Sequence, residues 1–230
     1  MIGFNDMIYA FAKRIFDIVS SILAICAFAI PWIVIAVTIK LQSPGPVIYK
    51  ARRVGKNGKV FTLYKFRSMR VDSGAIHATT LRGDPRIFPF GEFLRKSKLD
   101  ETPQLFNIFK GEMSVIGPRP EDEENSGKFY VGKYKDILLV KPGLSSPASL
   151  YDYTHGEKYE SEDDYVRAFL PKKLEVELYY VQHKGLFYDL KIVIDTVITI
   201  TQIVLGKDDF AEPEELRMCE DVYRKENTNN

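Results

Sequence analysis

Cysteine is scarce in this sequence, and the two that occur do not belong together: Cys26 falls inside an apolar run and Cys219 in a polar tail. That excludes a disulfide framework and a thiolate zinc site, and it fits a reducing, cytoplasmic setting. Histidine is hardly more frequent. His77, His155 and His183 stand far apart without ligand spacing, so they are read as non-metal residues. The glycines form no nucleotide-binding fingerprint, because Gly55-Lys-Asn-Gly58 has the wrong spacing and reads as a turn. There is no internal repeat, and 230 residues leave no room for a second full domain beside an ordinary one with its appendages.

Net charge is also nearly absent, at +1, but it is unevenly placed. Residues 40–119 hold 16 Lys/Arg against 6 Asp/Glu, whereas residues 120–230 hold 14 against 23. The middle third is therefore built to meet anions: nucleic acid, anionic lipid or a phosphorylated small molecule.

From Ile18 to Ile39 the chain runs 22 residues without a charge, close to the roughly 20 that cross a bilayer as helix. The run is too long for a cleaved signal, and no small-residue cleavage site follows before Lys40, so the segment is expected to stay in the working protein. Pro31, near its middle, predicts a kink. Lys13 and Arg14 flank one end and Lys40, Lys50, Arg52 and Arg53 the other, so both ends carry the charge kept on the cytoplasmic side. A single kinked span and a hairpin that enters and leaves by one face both fit the pattern.

Ser43-Pro-Gly-Pro46 breaks the chain after this run. Val47–Val54 and Lys59–Phe66, joined through Asn57-Gly58, predict a β-hairpin. The apolar spacing predicts two helical pieces over 87–110, with Asp100 and Glu101 just ahead of a helix start at Thr102-Pro103. Residues 172–205 read as a long helical region interrupted near Gly185, its second part lying either in the core or along a membrane surface. Beyond Gly206 the composition is that of a polar, flexible tail.

Chemistry concentrates in the segment from Ser97 to Asn107. Asp100 and Glu101 adjoin Arg95, Lys96 and Lys98, surroundings that favour ionised carboxylates. An ionised carboxylate can attack phosphorus while its neighbour holds a divalent cation; an adjacent acidic pair is otherwise a helix cap. Arg119, mounted between Pro118 and Pro120, suits two-bond phosphate binding. Lys65 and Arg67 alternate with apolar residues and predict a polar strand face.

The succession KRIFDIV, a proline-broken apolar run, SPGPVIY, VGKNGKVFTLYKFRSM, DPRI, FLRKSKLDETPQLFNIFKGEMSVIGPRP and VKPGL resembles the monotopic phosphoglycosyl transferase (bacterial sugar transferase) family in its small form, over about residues 12–205. The resemblance implies an α+β fold: a mostly helical catalytic domain at the cytoplasmic face (41–205) with a short β-hairpin, an N-terminal re-entrant membrane helix (1–40) turned at Pro31, and the tail (206–230). It implies transfer of a sugar 1-phosphate from a UDP-sugar to undecaprenyl phosphate with release of UMP and a requirement for Mg²⁺, at the inner membrane of a bacterium. Such a step starts glycan assembly and hands its product to downstream glycosyltransferases. Asp100 then matches the nucleophile and Glu101 its metal-associated partner; Arg95 and Arg119 match basic residues of the phosphate site, Lys65 lies in the family's YKF strand as a further substrate-binding residue, and Asp189 matches a further acidic residue of the active site. Two departures stand out. Ile30 replaces the serine common before the proline, and Leu144–Tyr153 replaces the usual Gly-Trp-Ala-Gln-Val-Asn-Gly-Arg stretch near the donor pocket.

A glycosidase would need its carboxylates about 5–9 Å apart across the bond, which adjacent residues hardly provide. A non-catalytic, membrane-anchored scaffold or regulator of polysaccharide export would explain the anchor but not the carboxylate pair among cations. No nucleic-acid partner is expected of a chain anchored this way.

Overall fold

The computed structural model describes residues 3–71, 84–159 and 161–219. His77 and residues 220–230 of the tail lie outside the described residues. The fold is α+β and predominantly helical, as the sequence implied.

Helix α1 (Phe4–Gln42) absorbs the whole apolar run, with Pro31 inside it. It starts where the Asp6 carboxylate accepts the free Gly3 N–H and stops where extended Ser43 leads into Pro44, which cannot continue a helix. One side of α1 packs on the rest of the protein. Ala24, Ile25, Phe28 and Trp32 meet Phe61, Leu63, Leu105 and Ile108, and Ile35 and Ile39 are buried with Phe66, Phe88 and Leu94. The other side, with Leu23, Ile30, Ile33 and Val34, is exposed.

Strands β1 (Ile48–Val54) and β2 (Val60–Phe66) pair antiparallel, with Val54 opposite Val60. The turn between them places Asn57 and Gly58 at φ 57° and 76°, the left-handed region that Asn-Gly tolerates. Helix α2 (Pro89–Lys96) and α3 (Leu105–Lys110) flank a 3₁₀ segment, Leu99–Gln104, that carries Asp100 and Glu101. The predicted start at Thr102-Pro103 thus falls inside the 3₁₀ turn, and the α-helix proper begins two residues after Pro103.

Strand β3 (Ser114–Ile116) pairs parallel with β4 (Gly143–Ser145). The backbones cross so closely beside this pair that a Cβ on Gly143 would collide with Gly117, which explains the glycines of Gly117-Pro-Arg-Pro120 and of Lys141-Pro-Gly143. Helix α4 (Glu123–Phe129) lies between β3 and β4 in sequence. Helix α5 (Pro147–His155) begins with the Ser146 side chain accepting the Ser149 N–H and Pro147 at its tolerated first position.

Short α6 (Glu162–Asp164) continues through a π-helical turn, Tyr165–Phe169, into α7 (Leu170–His183). Extended Gly185 then separates α7 from α8 (Leu186–Val204), the interruption the sequence predicted. Helix α8 buries Asp189 and Ile192 and exposes Leu190, Ile194, Val197 and a 92 % accessible Phe187. Of the tail, residues 206–219 are described. Leu216 there is buried with Ala148, Tyr151, Phe169 and Val176, and Glu215 accepts the Tyr188 hydroxyl at 2.7 Å.

Candidate active site

The 3₁₀ segment holds both carboxylates inside the protein, each 5 % exposed. Lys98, just before it, adopts φ 56°, a left-handed conformation uncommon for a residue with a side chain. Thr102 secures the turn from within, its hydroxyl donating to Leu99 O at 2.7 Å and accepting the Trp32 indole N–H at 2.9 Å. The residue after Pro31 in α1 therefore supports the carboxylate turn directly.

Glu101 is surrounded by donors. Oε1 accepts Lys65 Nζ at 2.9 Å and Arg119 Nη2 at 3.3 Å; Oε2 accepts the Tyr153 hydroxyl at 3.2 Å. Burial alone would push its pKa up, yet Lys65, Arg119 and Lys98 outweigh that and hold it well below the usual carboxylate range. Asp100 is the reverse case. Burial raises its pKa and the Glu101 charge adds to the rise, while Lys65, Lys98 and Arg95 pull it down without cancelling it. The shared basic setting expected to ionise both carboxylates thus separates them. Asp100 Oδ1 has no hydrogen-bond partner.

Arg119 enters from the loop after β3. Its backbone N–H donates to Glu177 Oε1 on α7 at 3.0 Å, and its Nη1 donates to the Tyr153 hydroxyl at 3.0 Å. A cleft opens here, lined by Arg53, Leu63, Lys65, Gln104, Arg119, Pro120 and Glu121. Arg53, Lys65 and Arg119 bring positive charge to this cleft, each already paired with a carboxylate, Asp122 for the first and Glu101 for the other two. Behind it, Lys173 on α7 pairs with Asp152 at 3.1 Å and Glu121 at 3.5 Å, tying α5 and the loop after Pro120 to α7.

Of the residues singled out from the sequence, Asp100, Glu101, Lys65 and Arg119 come together. Arg95, in the last turn of α2, acts on Asp100 by charge and has no ion pair among the described residues. Asp189 sits in another cluster, paired with Lys13 and accepting the hydroxyls of Tyr9 at 3.0 Å and Tyr180 at 2.8 Å, so it joins α8 to α1 and α7. Arg67 does not share the Lys65 site: it is buried, with Nη1 on Ser43 Oγ at 3.0 Å and Pro44 O at 2.7 Å, where it fixes the exit from α1. Arg53, Gln104 and Glu177 carried no signal in the sequence that separates them from ordinary polar residues. Tyr153 did carry one, since it closes the stretch in which this chain departs from the pattern it resembles.

Magnesium takes oxygen ligands, keeps several waters, and is commonly held by one or two carboxylates plus substrate phosphates. No group of three or more His, Cys, Asp or Glu suited to a metal occurs among the described residues. The buried, unpartnered Asp100 Oδ1 and the singly occupied Glu101 Oε2 fit the carboxylate share of such a site; Oε1, with two cationic donors, does not.

A model of the bacterial sugar transferase family matches residues 8–203. The chain belongs to that family. Among its relatives is the UDP-N-acetylgalactosamine-undecaprenyl-phosphate N-acetylgalactosaminephosphotransferase of Aeromonas hydrophila, 40 % identical over 84 % of this chain and 44 % of that protein. The UDP-glucose:undecaprenyl-phosphate glucose-1-phosphate transferase of Xanthomonas campestris pv. campestris is 34 % identical over 85 % of this chain and 40 % of its own length. The exopolysaccharide production protein PSS of Rhizobium leguminosarum bv. phaseoli is 37 % identical over 85 % and 96 %. The chain thus spans under half of the first two relatives and nearly all of the third.

Proposed function

We propose that this sugar transferase family member moves a sugar 1-phosphate from a UDP-sugar to undecaprenyl phosphate through a covalent intermediate on Asp100. The observation that carries the reading is the carboxylate pair itself. Glu101 is held ionised by three donors, and beside it stands a buried Asp100 with an oxygen that has no protein partner, while two of the cations that hold Glu101, Lys65 and Arg119, also line the adjoining cleft. The names of the relatives supply the substrate classes.

In the first step an Asp100 carboxylate oxygen attacks the sugar-bearing phosphorus, the bond from that phosphorus to the bridging oxygen breaks, and UMP leaves with that oxygen. In the second, a phosphate oxygen of the lipid attacks the same phosphorus and the Asp100 carboxylate is released, leaving a lipid-linked diphosphate sugar. Lys65, Arg119 and Arg53 line the cleft where the donor's diphosphate would sit and oppose its charge in both steps. Asp100 Oδ1 and Glu101 Oε2 would hold magnesium, which supplies charge neutralisation and Lewis-acid polarisation of phosphoryl oxygens.

The re-entrant course of α1 belongs to the same proposal. Both flanks of the apolar run rest on one domain: Lys13 pairs with Asp189 and Arg14 donates to Ile108 O and Phe109 O at 2.8 Å each, while Ile39 is buried with Phe66 and Phe88. A span would set those flanks on opposite sides of about 30 Å of hydrocarbon. The exposed apolar sides of α1 and α8 then face lipid, with the cleft on the cytoplasmic side, where a soluble donor and a membrane-bound acceptor can both reach it.

The test is a rapid-quench incubation with UDP-sugars in the absence of lipid phosphate. The expected result is about one UMP per site and a protein mass gain of one sugar phosphate, both lost in Asp100→Asn. Release of UMP only when lipid phosphate is present, with no adduct, rejects the covalent route.

A further inference from the structure

Tyr153 stands in the last turn of α5, within the stretch where this chain departs from the family pattern. Its hydroxyl donates to Glu101 Oε2 at 3.2 Å and accepts Arg119 Nη1 at 3.0 Å, while Arg119 Nη2 reaches Glu101 Oε1 at 3.3 Å. Carboxylate, guanidinium and phenol thus close a ring of three contacts. The face of the same side chain is occupied as well: Lys98 Nζ lies 3.4 Å from the ring centroid and Arg119 Cζ 5.6 Å from it. The face that Lys98 occupies is not open to stack on a nucleobase. Its position is also imposed from behind, because the adjacent Asp152 is locked to Lys173 on α7 and to the Tyr165 hydroxyl at 3.0 Å.

Two consequences follow from these distances. The hydroxyl fixes the plane in which Arg119 presents its guanidinium, since one edge of that group is shared between Tyr153 and Glu101. The ring draws the Lys98 ammonium onto its electron-rich face. Lys98 is two residues from Asp100, and its charge is among those that act on both carboxylates. An ammonium seated on a ring still acts on Asp100 through space without covering its free oxygen.

We propose that Tyr153 is a positioning residue of the transfer site, which aligns Arg119 with Glu101 through its hydroxyl and keeps the Lys98 ammonium off Asp100 Oδ1 through its ring. The inference rests on the sugar phosphate transfer proposed above and adds to it a residue specific to this chain's altered stretch.

The two contacts can be separated. Tyr153→Phe keeps the ring and loses the hydroxyl; Tyr153→Leu loses both. With the full-length chain in lipid nanodiscs, Tyr153→Phe is expected to raise the donor KM about tenfold, the worth of one hydrogen bond to a charged group, with kcat changed far less. Tyr153→Leu is expected to lower kcat by a further factor of about ten as the Lys98 ammonium shifts from the lost ring toward the Asp100 carboxylate. The deciding arm adds Lys98→Met to Tyr153→Leu. Recovery of kcat by the second substitution is expected here, and a residue that only supports packing would not produce it. Calorimetric binding of UDP gives a readout independent of turnover and should weaken in Tyr153→Phe by the same factor as KM rises. Wild-type kinetic constants and UDP affinity in both single variants would overturn the proposal, as would a loss in Tyr153→Leu that Lys98→Met deepens. Failure of the wild-type chain to bind UDP or turn over any UDP-sugar would count against the parent reading instead.

Discussion

Glu177 is expected to make the protein less stable as pH rises from the acid side to neutrality, and its replacement by glutamine should remove that dependence. The side chain is 1 % exposed, so its charge has almost no water to lean on. Oε1 accepts the Arg119 N–H at 3.0 Å and the Ser146 hydroxyl at 3.4 Å, whereas Oε2 has no partner. Burial is the largest influence on the carboxyl, and its pKa is pushed up from 4.5 to about 7 despite the Arg119 N–H and the nearby Lys173. Between those two values the folded state binds a proton that the unfolded chain has released, so stability falls as pH rises through that window and levels off above it. At about 1.4 kcal/mol per unit, the difference amounts to roughly 3 kcal/mol.

Glu177→Gln keeps an acceptor for the Arg119 N–H and carries no charge, so it resembles the protonated acid. At pH 5 the variant should therefore match the wild type. At pH 8 it should be the more stable by up to about 3 kcal/mol, a Tm difference of roughly 6–12 °C for a chain of this size. Thermal unfolding followed by circular dichroism in one detergent at both pH values measures this. A constant offset between the two proteins across pH 5–8 would refute the reasoning, because it would mean that Glu177 keeps the same charge in folded and unfolded chains.

The remaining predictions concern the site and its membrane helix. Arg119→Lys should lower kcat/KM about ten- to a hundredfold with the protein still folded and membrane-bound, since an ammonium cannot serve Glu101, Tyr153 and a donor phosphate from one planar group; near-normal turnover would reduce Arg119 to a turn residue. Lys65→Met should move the acid limb of UMP burst amplitude to higher pH: Lys65 is the strongest influence lowering the raised Asp100 pKa, and without it the attacking carboxylate forms only in more alkaline solution. An unmoved limb would show that Asp100 ionisation does not set it. A single cysteine placed near position 5, with Cys26 and Cys219 replaced, should resist a membrane-impermeant thiol reagent added to intact cells; labelling from outside would reject the re-entrant course.

What the sequence could disclose depended on how local each cause is. The hairpin was legible because Asn57-Gly58 imposes its own backbone geometry, and the break before α8 because Gly185 is flanked by two apolar periodicities. Asp100, Glu101, Lys65 and Arg119 were legible as a set through the resemblance, although nothing in their separate spacing requires Lys65 of β2 and Arg119 of the loop after β3 to share one oxygen of Glu101. Ser146-Pro147 does spell a helix start, but that α5 would carry Tyr153 to Glu101 depends on Asp152 meeting Lys173 across the fold. The opposed shifts of Asp100 and Glu101 were hidden for a similar reason. Adjacent carboxylates among the same cations look alike in one dimension, and only the packing decides that Glu101 receives three donors while Asp100 keeps an oxygen bare.

The same logic explains why an apolar helix stands so close to a charged site. Trp32 follows Pro31 in the part of α1 bounded by exposed Ile30 and Ile33, yet its indole N–H is spent on Thr102, one residue from Glu101. An indole at a lipid boundary ordinarily turns its N–H toward water or headgroups. Here it turns inward and closes the 3₁₀ turn, so the part of α1 around Pro31 and the turn that carries the carboxylate pair are tied together. In the re-entrant arrangement proposed above, this tie is what would let a lipid phosphate meet Asp100 without leaving its bilayer while a soluble donor reaches the cleft between Arg53, Lys65 and Arg119 from the other side.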